Sequence, residues 1–182
     1  MAKVNDYHQQ ISMQRTQRIR DICRELPDAC RDYFFAISQT TSALTRLAYA
    51  YDLRVFFQYL TLEQASFAGV DPRLITIDQI AGITARQLRD YQDYLTMYIK
   101  QNEETNSEVV VNNHELGIMR KMCAVRSFFE YLFTNEKIPA NITTLVPLPK
   151  LHEKPILYLE KEEVEKLLEV AENGEEIGRA HV

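Results

Sequence analysis

Between Ile118 and Leu132 the apolar residues fall three and four apart: Ile118, Met122, Val125, Phe129 and Leu132. That spacing lines one face of an α-helix and commits the face to packing. The pattern stops at Thr134-Asn135, a turn follows with Pro139 and Asn141, and Pro147 and Pro149 break any further helix and begin a linker. The same period recurs upstream. In residues 42–60, Tyr49, Leu53, Phe56 and Leu60 share a face that Leu47 and Phe57 widen, so this helix is expected to be buried on more than one side. In residues 85–100, Leu88, Tyr91, Leu95 and Tyr98 line a third helix, with Thr84 placed as its N-cap.

The intervening stretches read as connections. A helix restarts at Leu26-Pro27-Asp28, since proline suits a first turn and Asp28 suits the positive end of the helix dipole; it carries Cys30, Tyr33, Phe34 and Ile37. Ser38 to Ser42 is a run of turn and cap residues. Residues 61–83 read as short helix and loop around Gly69 and Asp71-Pro72, and residues 101–113, polar around three valines, as a loop between helices. Residues 5–25 read as a polar helical lead-in in which Arg15, Arg18 and Arg20 form a solvated face, a basic arm or an inter-subunit contact. Beyond Lys150 the chain is expected to be extended, interrupted by Pro155, before a last acidic helix over 161–171 that stops at Asn173-Gly174.

Composition agrees with helices around a core. The 182 residues hold only 5 glycines and no tryptophan, with 46% apolar and 26% charged residues, the balance of a globular domain rather than a disordered chain. No apolar run approaches the ~20 residues of a membrane span and the first residues lack a signal-peptide core, so the chain reads as cytoplasmic, with no membrane partner. Cys23, Cys30 and Cys123 lack metal spacing and read as reduced, buried thiols. The net charge is −5, but eight glutamates against two lysines lie between Glu160 and Glu176, whereas residues 1–159 hold 18 basic and 18 acidic residues. A neutral region can present a basic face, although the sum lends DNA binding no positive support.

Catalytic chemistry is missing. There is no glycine-rich phosphate loop and no metal-ligand pair; His8, His114, His152 and His181 are scattered, and Glu162-Glu163 sits on a solvated acidic helix. No catalytic residue, metal or cofactor is assigned.

Two ordered motifs say more. The first is Thr45-x3-Tyr49-x2-Asp52-Leu53-x2-Phe56. The second is Ile118-x-Arg120-Lys121-Met122-x-Ala124-Val125-Arg126-Ser127-Phe128-Phe129-x-Tyr131-Leu132, followed by Ile138, Asn141 and Pro149-Lys150. With Ile83-Thr84 through Tyr91 and Leu95 between them, and Tyr158-Leu159-Glu160, Glu163-Val164 and Leu167-Leu168 after them, the set resembles tyrosine recombinases of the phage-integrase family, Xer-like enzymes included, over roughly residues 27–172. Gly117 stands where that family usually has threonine, and Ile142 where proline commonly follows the asparagine.

The resemblance implies an all-α fold: an orthogonal bundle of four to five helices, the SAM-like core-binding domain, followed by an extended linker and one short helix. It implies an N-terminal extension over 1–25, the core-binding domain over 26–150, a linker over 151–159 and the start of a catalytic domain over 160–176. Residues 177–182 read as a non-native tail, because EIGRAHV looks like a translated sequencing adapter; the chain is then a truncated fragment, inactive in strand cleavage, of a DNA breaking-rejoining enzyme. The implied partner is double-stranded DNA, clamped through major-groove contacts from helices 42–60 and 114–134, with recombinase subunits assembling as a tetramer in the full-length protein. Candidate DNA contacts are Thr45 and Arg46 on the first helix, Arg120 opposite the apolar face of the second with Lys121 and Arg126 flanking it, and Lys150, then His152, from the linker. The alternative is a helical protein-interaction or regulatory domain without strand cleavage.

Overall fold

A computed structural model describes residues 2–101, 105, 107–150 and 161–172. Its contacts divide the chain into two compact units, Met1–Lys150 and Leu151–Val182. The stretch 151–160, with His152 and Tyr158, for which an extended linker is expected, and residues 173–182, with the C-terminal heptapeptide, lie outside the described residues.

The first unit is mostly helical. Helix α1 spans Ala2–Cys23, α2 Asp28–Ala36 and α3 Ala43–Glu63. Short 3-10 turns at Ala65–Phe67 and Pro72–Leu74 lead to α4, Ile77–Ala81, and then to α5, Ala85–Tyr94. Strands β1, Met97–Gln101, and β2, Glu108–Asn112, precede α6, Glu115–Thr134. A 3-10 turn at Ile142–Leu145 closes the unit.

Local signals set the helix starts. The Ser42 hydroxyl accepts from the Thr45 amide at 3.1 Å. Thr76 and Thr84 each form a reciprocal capping box, with Gln79 and Gln87 respectively, so both short helices begin with their first free amides satisfied. The end of α6 is equally determined. The Lys137 amide donates to the Leu132 carbonyl at 2.8 Å and the Glu136 amide to that of Phe133 at 3.0 Å, with Glu136 at φ 55°. This is a Schellman closure in which glutamate occupies the left-handed position that glycine usually fills.

Two expectations are corrected between 95 and 113. The third helix stops at Tyr94, because the Leu95 and Thr96 amides turn back onto Tyr91 and Asp93 and the Thr96 hydroxyl caps the Asp93 carbonyl at 2.7 Å. Tyr98 therefore lies on β1. The valine run is a strand and not a loop: β2 pairs antiparallel with β1 in the register Met97↔Asn112 to Gln101↔Glu108. Val109 and Val111 are half-buried whereas Val110 is exposed, the period of two that β-branched residues support. Helical fold class is unaffected; the hairpin is an addition to it.

The core is aromatic. Phe56 of α3 meets Tyr91 at 5.0 Å and Phe129 at 6.4 Å between ring centroids, and Phe57 meets Phe128 at 6.0 Å, all edge to face. Such pairs add to the burial of large side chains. Tyr33 of α2 packs on Phe128 and donates its hydroxyl to Ser127 Oγ at 2.8 Å, tying α2 to α6. The apolar faces read from the spacing are the buried ones: Leu53, Phe56 and Leu60 on α3, and Ile118, Met122, Val125, Phe129 and Leu132 on α6. All three cysteines are free thiols; Cys30 is buried, Cys23 and Cys123 half-buried. Among the described residues no helix is long and apolar enough to cross a membrane.

In the second unit, α7 spans Lys161–Glu172. Its Val164, Leu167 and Leu168 are exposed, and Lys161 pairs with Glu165 at 3.6 Å.

Candidate nucleic-acid interface

On α3 the residues Thr45, Tyr49, Asp52 and Phe56 are spaced four, three and four apart, so they form one stripe. It runs from the exposed first turn at Thr45, through half-buried Tyr49, to Asp52 and Phe56 inside. The stripe on α6 that meets it holds Arg120 and half-buried Cys123. Their junction is an ion pair: Arg120 Nη1 donates to Asp52 Oδ2 at 2.6 Å. Asp52 is 1% exposed, whereas the Arg120 side chain keeps 47% of its surface in solvent. One guanidinium nitrogen is anchored, and nearly half of the side chain stays in solvent.

The electrostatics follow from this burial. Loss of solvent pushes the Asp52 carboxyl up to about 6, against the pull of Arg120 and then Lys121. Burial likewise holds the Lys121 ammonium below the usual lysine range; Asp52 opposes this, and Arg120 and Lys100 reinforce it. Tyr49 is raised first by burial and then by Cys123 and Asp52.

Lys121 is 7% exposed and donates to Asn113 Oδ1 at 3.1 Å. Asn113 also donates Nδ2 to the Leu95 carbonyl at 2.7 Å and its amide to the Thr96 carbonyl at 3.1 Å. One asparagine thus ties the hairpin base to the start of α6. Gly117 accommodates it: a Cβ there would lie 3.1 Å from Asn113 Oδ1 and 3.3 Å from Asn113 Cβ, a close approach that glycine permits. Arg126 donates Nη2 to the Val146 carbonyl, and its Nε is buried without a partner. Arg46 is half-buried with its Nε buried and unpartnered, on a different side of α3 from Asp52. Thr45 is exposed beside the cap, its hydroxyl 2.9 Å from Ser42 Oγ. Lys150 is exposed at the end of the first unit.

The six sequence-derived candidates among the described residues therefore do not form one patch of free bases. Thr45, Arg120 and Lys150 present surface; Lys121 and Arg126 reach back into the fold; Arg46 lines a groove beside α1 and α2. Spacing alone missed the roles of Asp52 and Asn113. The available signal for Asp52 was a carboxylate within a strongly apolar helix, which needs a buried cation.

No family model matches the chain, and no solved structure matches it. Two curated proteins, both called tyrosine recombinase XerC, do. The one from Caldanaerobacter subterraneus subsp. tengcongensis is 31% identical over 142 residues, covering 74% of this chain. The one from Chlorobaculum tepidum is 29% identical over 145 residues, covering 78% of this chain. In both cases the match spans 37% of the relative's length. The similarity, extending over three quarters of this chain and just over a third of each relative, relates the chain to the tyrosine recombinase family.

Proposed function

We propose that residues 26–150 are the DNA-binding part of a site-specific tyrosine recombinase acting in DNA integration and recombination in the cytoplasm. In this reading 1–25 is an extension, 151–159 an interdomain linker and 160–176 the opening of a catalytic domain. Helices α3 and α6 face the major groove of duplex DNA, and Thr45, Arg120 and Lys150 supply its contacts. Lys121 and Arg126 act from behind, holding the α6 start and the following turn. Recombinase subunits are the expected further partners, as a tetramer on DNA in the full-length protein.

The observation that carries the reading is Arg120, half exposed on a helix of recombinase-like sequence and anchored at one edge by buried Asp52. A guanidinium held this way meets a phosphate or guanine with little further loss of side-chain freedom. The test is titration of labelled duplex DNA by fluorescence anisotropy over a range of salt. Arg120→Ala is expected to weaken binding and to lower the slope of log K against log salt by about one, the loss of one phosphate contact. Lys121→Ala and Arg126→Ala are expected to lower stability and leave that slope unchanged. An unchanged slope in Arg120→Ala refutes the contact. The second reading, a protein-interaction domain, is favoured by the inward commitment of Lys121 and Arg126 and by the even charge of residues 1–159. Absence of duplex binding at low salt would select it.

A further inference from the structure

A groove of about 710 Å³ lies between α1, α2 and the start of α3, away from the Asp52–Arg120 pair. Buried Ile19, Leu26 and Phe34 form its floor, and Phe35, 82% exposed, stands at its edge. Its rim is basic. Three of its arginines are already neutralised: Arg24 by Asp21 at 3.0 Å, Arg31 by Asp28 at 3.5 Å and Arg73 by Asp71. Arg20 and Arg46 have no acidic partner among the described residues, and the Arg46 Nε is buried with no acceptor at all. Two arginines without acidic partners beside an open apolar floor and an exposed phenylalanine mark a surface that is incomplete as it stands.

We infer that this groove docks an amphipathic helix of a partner protein, apolar on the face it buries and acidic along its edges. The floor and the rim make complementary demands. Apolar side chains at i, i+3, i+4 and i+7 of such a helix cover Ile19, Phe34 and Phe35, and carboxylates beside them reach Arg20 and Arg46. A nucleic-acid backbone meets only half of this demand. Its phosphates suit the arginines, but seating them over Ile19 and Phe34 removes their hydration without replacing its hydrogen bonds. This inference is independent of duplex binding by α3 and α6, since it uses other residues on another side of α3.

The probe is a synthetic, fluorescently labelled helical peptide with leucine at i, i+3, i+4 and i+7 and glutamate between them, titrated against the full chain. Its counterpart has lysine in place of each glutamate. The glutamate peptide is expected to bind saturably and at least tenfold more tightly than the lysine peptide. Arg20→Glu combined with Arg46→Glu is expected to weaken it tenfold or more. Phe35→Ser, at a site too exposed to disturb folding, is expected to weaken both peptides. Circular dichroism of each variant confirms that it folds. Equal binding of the two peptides, or no saturable binding of the glutamate peptide, overturns the inference. So does a charge-reversal variant that loses duplex DNA and retains the peptide, which would assign the groove to nucleic acid.

Discussion

Replacing Asp52 with asparagine tests the electrostatic centre of the α3–α6 junction. Asparagine has the same shape and can still accept from Arg120, so the change removes charge and little else. In the fold Asp52 sits at about 6, against 3.8 for an ordinary aspartate. Between those values the folded chain holds a proton that the unfolded chain has released, so the folded state is favoured while Asp52 is protonated. This contribution is complete below pH 3.8 and is lost as pH rises through 6. At about 1.36 kcal/mol per pH unit it amounts to about 3 kcal/mol. Urea unfolding followed by far-ultraviolet circular dichroism, from pH 4 to pH 7.5, measures it. The wild type is expected to lose about 2.4 kcal/mol of that relative to Asp52→Asn across that interval. Parallel curves would refute the reasoning. A wild type that gains on Asp52→Asn as pH rises would show that Arg120 outweighs burial and that the carboxyl lies below its ordinary value.

Two further perturbations address packing and chain geometry. Phe129→Ala removes a side chain 1% exposed that lies against Phe56 and Phe128, and is expected to cost about 3–5 kcal/mol by thermal or urea unfolding; a negligible loss would mean that the buried face of α6 is misassigned. Glu136→Gly relieves a left-handed residue at the end of α6 and is expected to stabilise the fold by up to about 1 kcal/mol, whereas destabilisation would show that the Glu136 side chain holds the turn.

The long helices were legible because their apolar spacing is regular over many turns and their caps are local. Ser42, Thr84 and the Thr134-Asn135 stop each act through neighbours a few residues away. The hairpin was not legible. Leu88, Tyr91, Leu95 and Tyr98 continue a helical period, but the Thr96 hydroxyl and the pairing of Met97–Gln101 with the valine strand end the helix early. Pairing of that kind depends on a second segment, and no helical window contains it. The candidate site was legible only in part for a related reason. Helical geometry placed Arg120, Lys121 and Arg126 around α6, but their partners Asp52, Asn113 and the Val146 carbonyl come from elsewhere in the chain.

Those partners separate three bases that look alike in sequence. Lys121 spends its ammonium on Asn113 and lies almost wholly inside, so an external phosphate would have to break that bond and draw it out. Arg126 gives Nη2 to a carbonyl and keeps Nε buried, so it closes the turn after α6. Arg120 differs because its partner is a carboxylate, its contact uses one nitrogen, and nearly half of its side chain stays in water. A buried aspartate is a costly anchor unless it is paired. An arginine that pairs it while facing solvent joins the interior of the bundle to its surface. Loss of that arginine therefore has two separable consequences: a stability penalty larger at pH 7 than at pH 5, because Asp52 is ionised at the higher pH, and a change in salt slope if DNA meets this face. A variant showing the first consequence without the second would assign Arg120 to the fold alone.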